Sequence, residues 1–558
     1  MQKLQLWDYI VFLVYFLIVA VYGYWIYHKK KKAQTDSKDF FLAEGALTWW
    51  AIGASLIASN ISAEQFIGMS GSGFKMGLAI ATYEWMAAAT LLVVAIFFMP
   101  IYLKNRIYTM PQFLTQRYNT TVSTIMAVFW LLLYVIVNLT SILFLGALAI
   151  STISGLPLMG CMVGLGVFAI LITLGGMKVI GYTDVIQVFF LTLGGLATTY
   201  LALELVSDHY NTSGVVNGFS LMLDKAGDHF TMVFDRENPN YLDLPGLTIL
   251  LGGMWIVNLN YWGCNQYITQ RALGADLPTA RNGILFAAFL KLLMPVIVVF
   301  PGIAAYVLYQ EGLFQAEMLD ESQTINPDRA YPVLLNLLPV GLKGLSFAAL
   351  TAAIVASLAG KANSISTIYT LDIYQKFIKK DATERDLVVV GRICIIVSMF
   401  LAGLIAPFMG IDKKGGFQYI QEYTGFVSPG IFAIFIMGFF WKRTTSKAAL
   451  VAALITFPLS LLFKFLPDFV DLSLLADYGF AARNPESLIF EIPFIDRMGF
   501  VFLICVAVMV IISLLDPKSR NNPQGLEIDS SMFKTHPTFT AGAIVVCVIL
   551  TVLYTVFW

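Results

Sequence analysis

The chain has 558 residues, of which 58% are hydrophobic and 13% charged, and its mean hydropathy is +0.76. Soluble domains are about 45–50% apolar and about 25% charged, so the composition excludes an ordinary soluble protein and predicts an all-α polytopic protein in a lipid bilayer. The formal net charge of zero implies no nucleic-acid partner. The five cysteines lack metal-ligand spacing and no catalytic motif occurs, so we expect neither a resident metal nor an enzyme.

Apolar runs long enough to cross a bilayer recur along the whole chain. The loops that carry most of the lysines and arginines, including Lys29 to Lys32, Arg271 and Lys379, are expected to face the cytoplasm. Both termini then lie outside. We predict fourteen transmembrane helices, centred near residues 17, 58, 90, 136, 166, 195, 258, 295, 358, 399, 429, 456, 505 and 548.

Two predicted spans change character at mid-length in the same way. The second is apolar up to Ser59 and polar from Asn60 onward, and the seventh turns polar near Asn258. They lie five spans apart, and because five is odd, the two blocks that they open cross the membrane in opposite directions. Such paired interruptions predict an inverted repeat with a binding site at mid-membrane. The alternative is that both asparagines only form interhelical hydrogen bonds, worth about 0.6 kcal/mol each.

The predicted organisation is a single integral domain with four parts. These are an extra N-terminal span and loop at 1–45, repeat one at 46–206, repeat two at 246–442 and three C-terminal spans at 443–558.

Two charged residues lie inside predicted spans, where a charge costs about 2.5–3.5 kcal/mol on insertion scales. Glu84 is in the third span and Lys291 is in the eighth. Either the two form a buried ion pair, or both point into a polar cavity beside the broken helices and bind a neutral, hydroxyl-rich solute. Carboxylate and ammonium groups form strong charge-assisted hydrogen bonds with hydroxyls, which favours a small-molecule sugar as the partner.

The ninth predicted span is rich in small residues, and Ser357, Lys361 and Ser364 share one of its faces at spacings of four and three. A hydroxyl that faces the carbonyls of the broken second span would complete an oxygen shell for a small hard cation. Close helix packing is the alternative for the small residues. Asp184 begins the sixth span, either as an N-cap carboxylate, the preferred interpretation, or as an ion-exit group.

The start of the eleventh predicted span suits a lid over the cavity. Gln421 is placed to reach the cavity, and Phe417, together with Tyr83 of the third span, is placed to cover it. For aromatic residues near a membrane surface, anchoring at the interface is the common alternative.

Several of these residues lie in strings of high specificity, and the chain resembles the sodium/solute symporter family over nearly its whole length, most closely the bacterial sugar symporters. The resemblance implies a five-plus-five inverted-repeat core of the leucine-transporter type, with discontinuous first helices, in the bacterial inner membrane. It also implies sodium-coupled symport of a neutral hexose, galactose or glucose, into the cell by alternating access. The strings are Ala58–Gly73, Thr183–Gln187, Tyr261–Gly263 and Gln418–Gly425.

The resemblance further implies roles for individual residues of this chain. Positions that match sugar ligands are Asn60, Gln65, Glu84, Asn258, Lys291 and Gln421. Positions that match an outer hydrophobic gate are Met69, Tyr83 and Phe417, and those that match an inner aromatic gate are Tyr261 and Trp262. The co-transported sodium is expected on the carbonyls of Ala58, Ile61 and Ala353 and on the Ser357 hydroxyl.

Three positions depart from the family pattern. Ala356 takes the place of one of two adjacent sodium-site hydroxyls, Lys361 replaces an apolar residue one turn further on, and Ala87 replaces a serine that lines the sugar pocket. Sodium stays the expected coupling ion. The alternatives are a proton-coupled sugar symporter, a sodium symporter for an amino acid, carboxylate or polyol, and a sensor or channel on the same scaffold. Neither the preferred hexose nor the oligomeric state is predicted.

Overall fold

The computed structural model describes residues 5–29, 47–319, 323–408, 416–485, 487–517, 519 and 525–558. Most of the predicted loop after the first span, with the basic run Lys30 to Lys32, lies outside the described residues.

Helices of very different length make up the fold. In the first half they are α1 (Leu6–Lys29), α2 (Trp49–Asn60), α3 (Ser70–Met76), α4 (Thr82–Val93), α5 (Met99–Lys104), α6 (Met110–Arg117), α7 (Thr120–Leu132), α8 (Thr140–Ser154), α9 (Leu158–Thr173), α10 (Gly176–His209), α11 (Val215–Lys225), α12 (Gly246–Leu251), α13 (Gly253–Cys264) and α14 (Gln266–Leu273).

The second half continues in the same manner and includes one short antiparallel hairpin. Its elements are α15 (Leu277–Val298), α16 (Phe300–Gln310), α17 (Ala330–Leu337), α18 (Leu342–Thr367), α19 (Glu384–Ile405), α20 (Gly416–Gly425), α21 (Ser428–Phe440), α22 (Ser446–Phe465), α23 (Ser473–Ala476), β1 (Ala482–Arg483), β2 (Phe490–Glu491), α24 (Phe494–Leu515) and α25 (Pro537–Val556).

Ten helical segments of the described chain are long and apolar enough to cross a membrane. The predicted fifth and eleventh spans coincide with shorter apolar helices, α9 and α21, and the predicted second and seventh spans contain interruptions. The total of fourteen spans therefore stays a prediction. The ten segments are Leu6–Ile26, Glu64–Lys104, Thr120–Ser154, Val179–His209, Leu277–Gln310, Leu342–Ile378, Glu384–Phe408, Ser446–Asp468, Phe494–Leu515 and Pro537–Val556.

Both predicted helix interruptions are present. Helix α2 ends at Asn60, Ile61 is extended (φ −81°, ψ 115°), and a π-helical turn begins at Glu64. The freed backbone N–H of Ser62 donates to Gln65 Oε1 at 3.0 Å, which satisfies a group that lipid cannot. The second interruption is at the extended Asn265 between α13 and α14. The prediction near Asn258 was wrong in position, because the polar residues from 258 onward are accommodated within α13.

Helix α18 lies at the centre of the bundle and is buried over nearly its whole length. It packs along α10, where an ideal Cβ on Gly194 would lie 2.8 Å from the Cβ of Ala349. Its N-terminus is tied to α1, because Asp8 Oδ1 accepts the backbone N–H groups of Gly341 (2.8 Å) and Gly344 (3.0 Å). The first helix is thus bonded to the helix that carries the predicted sodium hydroxyl.

The segment between α10 and α12 is anchored to α3, at the end of the predicted second span. His229 Nε2 donates to the carbonyl of Phe74 at 3.1 Å, and its ring stacks on Tyr306 with centroids 3.8 Å apart. Gly77, with φ +73°, passes so close that an ideal Cβ would lie 2.1 Å from the His229 carbonyl oxygen. Glycine is required here because of both the backbone conformation and this contact.

Candidate functional site

Three of the predicted sugar ligands form one buried cluster. Lys291 Nζ, from α15, donates to Asn60 Oδ1 at the end of α2 and to Glu84 Oε2 in α4. Lys291 is 1% exposed, and its Nζ lies 5.2 Å from the ring centroid of Trp262. The ion pair that the sequence left as an alternative is therefore present, and Asn60 is part of the same cluster.

Aromatic residues lie beside this cluster and against α14. Asn60 Nδ2 donates to the Tyr261 hydroxyl at 2.9 Å, which links the C-terminal end of α2 to α13. The ring of Tyr261 contacts those of Trp262 and Tyr267 edge-on, at centroid distances of 5.2 and 5.6 Å. Tyr261 thus contacts one predicted sugar ligand, Asn60, through its hydroxyl and α14 through its ring.

The residues of the predicted outer gate also meet. The rings of Tyr83 and Phe417 are perpendicular with centroids 5.0 Å apart, and Met69 and Phe417 are both buried. An ideal Cβ on Gly68 would lie 2.8 Å from Phe417, so the segment that starts α20 is pressed directly onto the π-helical turn. These contacts close the side of the Lys291–Asn60–Glu84 cluster on which Tyr83 and Phe417 lie.

The remaining predicted sugar ligands do not join the cluster. Gln65 Oε1 accepts the backbone N–H of Ser62, and Asn258 Nδ2 donates to the carbonyl of Met254 in its own helix at 3.2 Å. Gln421 is partly buried in α20. These bonds use Gln65 Oε1 and Asn258 Nδ2, so Gln65 Nε2 and Asn258 Oδ1 can meet a ligand without breaking them.

The predicted sodium ligands lie where α2 and α18 touch. Ser357 Oγ donates to the carbonyl of Ser59 at 3.0 Å, and Ala58, Ile61 and Ala353 are buried. The hydroxyl therefore faces the end of the broken helix, as predicted, but its partner in this state is the Ser59 carbonyl. A hydroxyl keeps acceptor lone pairs when it donates, so this bond is compatible with a cation ligand.

The prediction that Asp184 caps a helix is wrong. Helix α10 begins at Gly176, two turns earlier, so Asp184 lies inside it and no free N–H groups surround it. Its carboxylate instead accepts the Ser55 hydroxyl at 2.5 Å and lies 3.6 Å from the guanidinium of Arg271. Arg271 Nε also donates to the Ser55 carbonyl at 2.9 Å, so α2, α10 and α14 are joined at one point.

Comparison with known proteins decides the family. Residues 40–456 match the sodium:solute symporter family. The chain belongs to this family. A sodium/glucose cotransporter of Vibrio parahaemolyticus is 47% identical over 558 residues, which covers 99% of this chain and 98% of that protein. A sodium/myo-inositol cotransporter 2 of Homo sapiens is 34% identical over 464 residues, which covers 79% of this symporter and 67% of the human protein.

A solved structure supports the fold. A Na⁺-coupled sialic acid symporter in a substrate-bound outward-open state matches with a TM-score of 0.75 at 20% identity, covering 92% of this chain and 98% of that chain. At this identity the likeness establishes the leucine-transporter type of fold alone. The family assignment, the 47% identical relative and the ten apolar helices confirm the predictions of a multi-pass membrane protein and of sodium-coupled solute symport.

Two functional candidates of this symporter were not predicted from the sequence. The charge pattern places Arg271 in an inward loop, yet it lies in α14 and is 1% exposed. Glu64 belongs to the string Ala58–Gly73 without a predicted role, yet it is buried and its Oε1 lies 3.9 Å from Lys361 Nζ. The available signal for Arg271 was its spacing of four from Tyr267, which places both on one face of the short helix.

Proposed function

We propose that this symporter carries a neutral hexose, galactose or glucose, into the cell together with sodium, across a bacterial inner membrane with both termini outside. The observation that carries the proposal is the Lys291–Asn60–Glu84 cluster between Tyr261 and the outer pair Tyr83 and Phe417. Paired opposite charges offer both donors and acceptors to hydroxyls and have no net charge to offer a solute carboxylate. The identity to a protein named a sodium/glucose cotransporter supports a sugar.

In the proposed cycle, sodium enters between α2 and α18 and binds the carbonyls of Ala58, Ile61 and Ala353 and the Ser357 hydroxyl. Binding there stabilises one arrangement of the broken α2, which also presents Asn60 to the sugar. Rearrangement of the repeats then opens the inner side, where Tyr261 moves from Asn60 and the sugar leaves. Inward sodium movement supplies about 2.3 kcal/mol per charge for each 100 mV of membrane potential.

The test is uptake of labelled solutes into proteoliposomes with sodium, lithium or proton gradients imposed separately. We expect sodium-driven uptake of galactose or glucose, with myo-inositol and sialic acid as competing solutes. Uptake driven by a proton gradient and indifferent to sodium would defeat the sodium site. Preferential uptake of a carboxylated solute or an amino acid would defeat the sugar assignment and leave sodium symport standing.

A further inference from the structure

A second buried ion pair lies near the centre of the symporter, outside the sugar cluster. Lys361 Nζ, in α18, is 3.9 Å from Oε1 of Glu64, which begins the π-helical turn after the break. Their side chains are 3% and 11% exposed. Lys361 Nζ also lies 5.0 Å from the ring centroid of Tyr267 in α14.

Both members of the pair lie within four residues of a proposed sodium ligand. Lys361 follows Ser357 by four residues on the same face of α18, a rise of about 6 Å along the axis. Glu64 follows Ile61 by three residues, directly after the break. A fixed positive charge and a fixed negative charge therefore border the place proposed for the ion.

The Lys361–Glu64 ion pair is longer than a hydrogen-bonded one. Charge-assisted hydrogen bonds between ammonium and carboxylate are about 2.7–2.9 Å long, and this separation is 3.9 Å. Among the described residues, Glu64 Oε1 accepts no hydrogen bond. Arg271, whose guanidinium approaches Gly360, has its own carboxylate in Asp184. Glu64 thus keeps acceptor capacity that an entering cation can use.

We propose that Lys361 and Glu64 set the sodium affinity of this symporter. The Glu64 carboxylate attracts the entering ion, and the Lys361 ammonium competes for that carboxylate and repels the ion. Because Ala356 supplies no hydroxyl, these charges rather than a further oxygen ligand control how tightly sodium is held. The inference rests on the proposed sodium site between α2 and α18.

The test is the half-saturating sodium concentration for sugar uptake in proteoliposomes. Lys361→Met leaves a net negative charge and should lower this concentration about threefold or more, whereas Glu64→Gln should raise it by a similar factor. The double variant Lys361→Met/Glu64→Gln is neutral again and should return close to the parent value. Lys361→Arg keeps the charge and should change the concentration little.

The matched control is Lys376→Met. Lys376 pairs with Asp372 at 2.7 Å, about 20 Å further along the same helical span, and its loss should leave sodium half-saturation unchanged. Shifts of the two single variants in the same direction, or no shift, would mean that the pair is structural and would overturn the proposal. If Glu64→Gln fails to fold, Lys361→Met and the double variant still decide. The proposal then requires half-saturating sodium to be lower in Lys361→Met than in the double variant.

A separate variant distinguishes this inference from the proposed sodium site itself. Ser357→Ala should raise half-saturating sodium if the site is correctly placed. If Ser357→Ala has no effect, the proposed site fails. If Ser357→Ala weakens sodium binding and Lys361→Met does not strengthen it, the site stands and the charge inference fails.

Discussion

At the residue scale, the cluster of Lys291, Asn60 and Glu84 explains how charges are tolerated in the membrane and why the solute is proposed to be neutral. Each polar group already has a partner in the closed site. A sugar hydroxyl can replace one of these partners without leaving a charge uncompensated. A carboxylated solute would add a second negative charge beside Glu84, which is unfavourable in a buried site.

Glu84→Gln is expected to reduce sodium-driven sugar uptake at least about tenfold, because a neutral amide forms weaker hydrogen bonds with hydroxyls than a carboxylate does. Uptake should be measured in proteoliposomes at saturating sodium, with the melting temperature of the purified protein recorded in parallel. Undiminished uptake would remove Glu84 from the sugar site.

The control for a purely structural pair is Glu84→Gln combined with Lys291→Met. Breaking one partner of a buried pair can cost about 3–5 kcal/mol, and replacing both partners by uncharged side chains can restore that stability. If the pair only stabilises the fold, the double variant regains uptake. If it binds the sugar, the double variant folds and stays inactive.

Most residues of the candidate sugar site could be predicted from the sequence because they are polar side chains within apolar runs. Glu84, Lys291 and Asn60 stand out because a polar side chain in an apolar run needs a partner, and the structure brings these three together. The sequence could not distinguish an ion pair from a cavity, since both satisfy the same groups. It also could not show that Asn258 turns to the backbone of its own helix, which depends on side-chain conformation.

At the element scale, Arg271 joins α14, in which it lies, to α2. These helices belong to the two different interrupted spans. Its Nε donates to the Ser55 carbonyl in α2, and its guanidinium faces Asp184 in α10. Any opening that separates α2 from α14 must break these bonds within a buried setting. The network therefore favours the arrangement in which the two short helices stay together.

Arg271→Gln is expected to loosen α2. A cysteine placed at the buried Ala51, in a background without other cysteines, should react with a membrane-permeant maleimide at least about fivefold faster in this variant, because a buried ion pair is broken. Arg281→Gln is the control, since Arg281 binds the carbonyls of Ala95 and Lys534 and not those of α2. Equal labelling rates in the two variants would contradict this role.

The order of helices was more predictable than their ends. Hydrophobic runs of sufficient length marked the spans, and the polar stretch after Ser59 marked the first break correctly. The second break lies at Asn265, because tertiary packing keeps Asn258 and Asn260 helical and buried. The sequence also misplaces the start of α10 at Asp184, because Lys178 and two glycines interrupt the apolar pattern in the first two turns of that helix.

At the scale of the whole molecule, the segment between α10 and α12 is attached to the membrane bundle through His229. Burial lowers the pKa of His229 from its usual value of about 6.5. The unfolded chain therefore binds a proton more readily than the folded one as the pH falls below about 6.5, and the free energy of unfolding decreases there.

The melting temperature of the detergent-solubilised protein should accordingly fall from pH 7 to pH 5, and His229→Gln should reduce this dependence. Glutamine keeps an N–H donor for the Phe74 carbonyl but does not titrate. An unchanged pH dependence in the variant would show that other groups are responsible.

The bond from Asp8 to α18 has a consequence for how the chain is made. Asp8 and its partner Gly341 are 333 residues apart, which a ribosome needs roughly 15 to 70 s to synthesise at about 5–20 residues per second. Helix α1 thus enters the bilayer long before the amides that donate to its Asp8 carboxylate exist. The helix that inserts first therefore gains these two bonds only when α18 has been made.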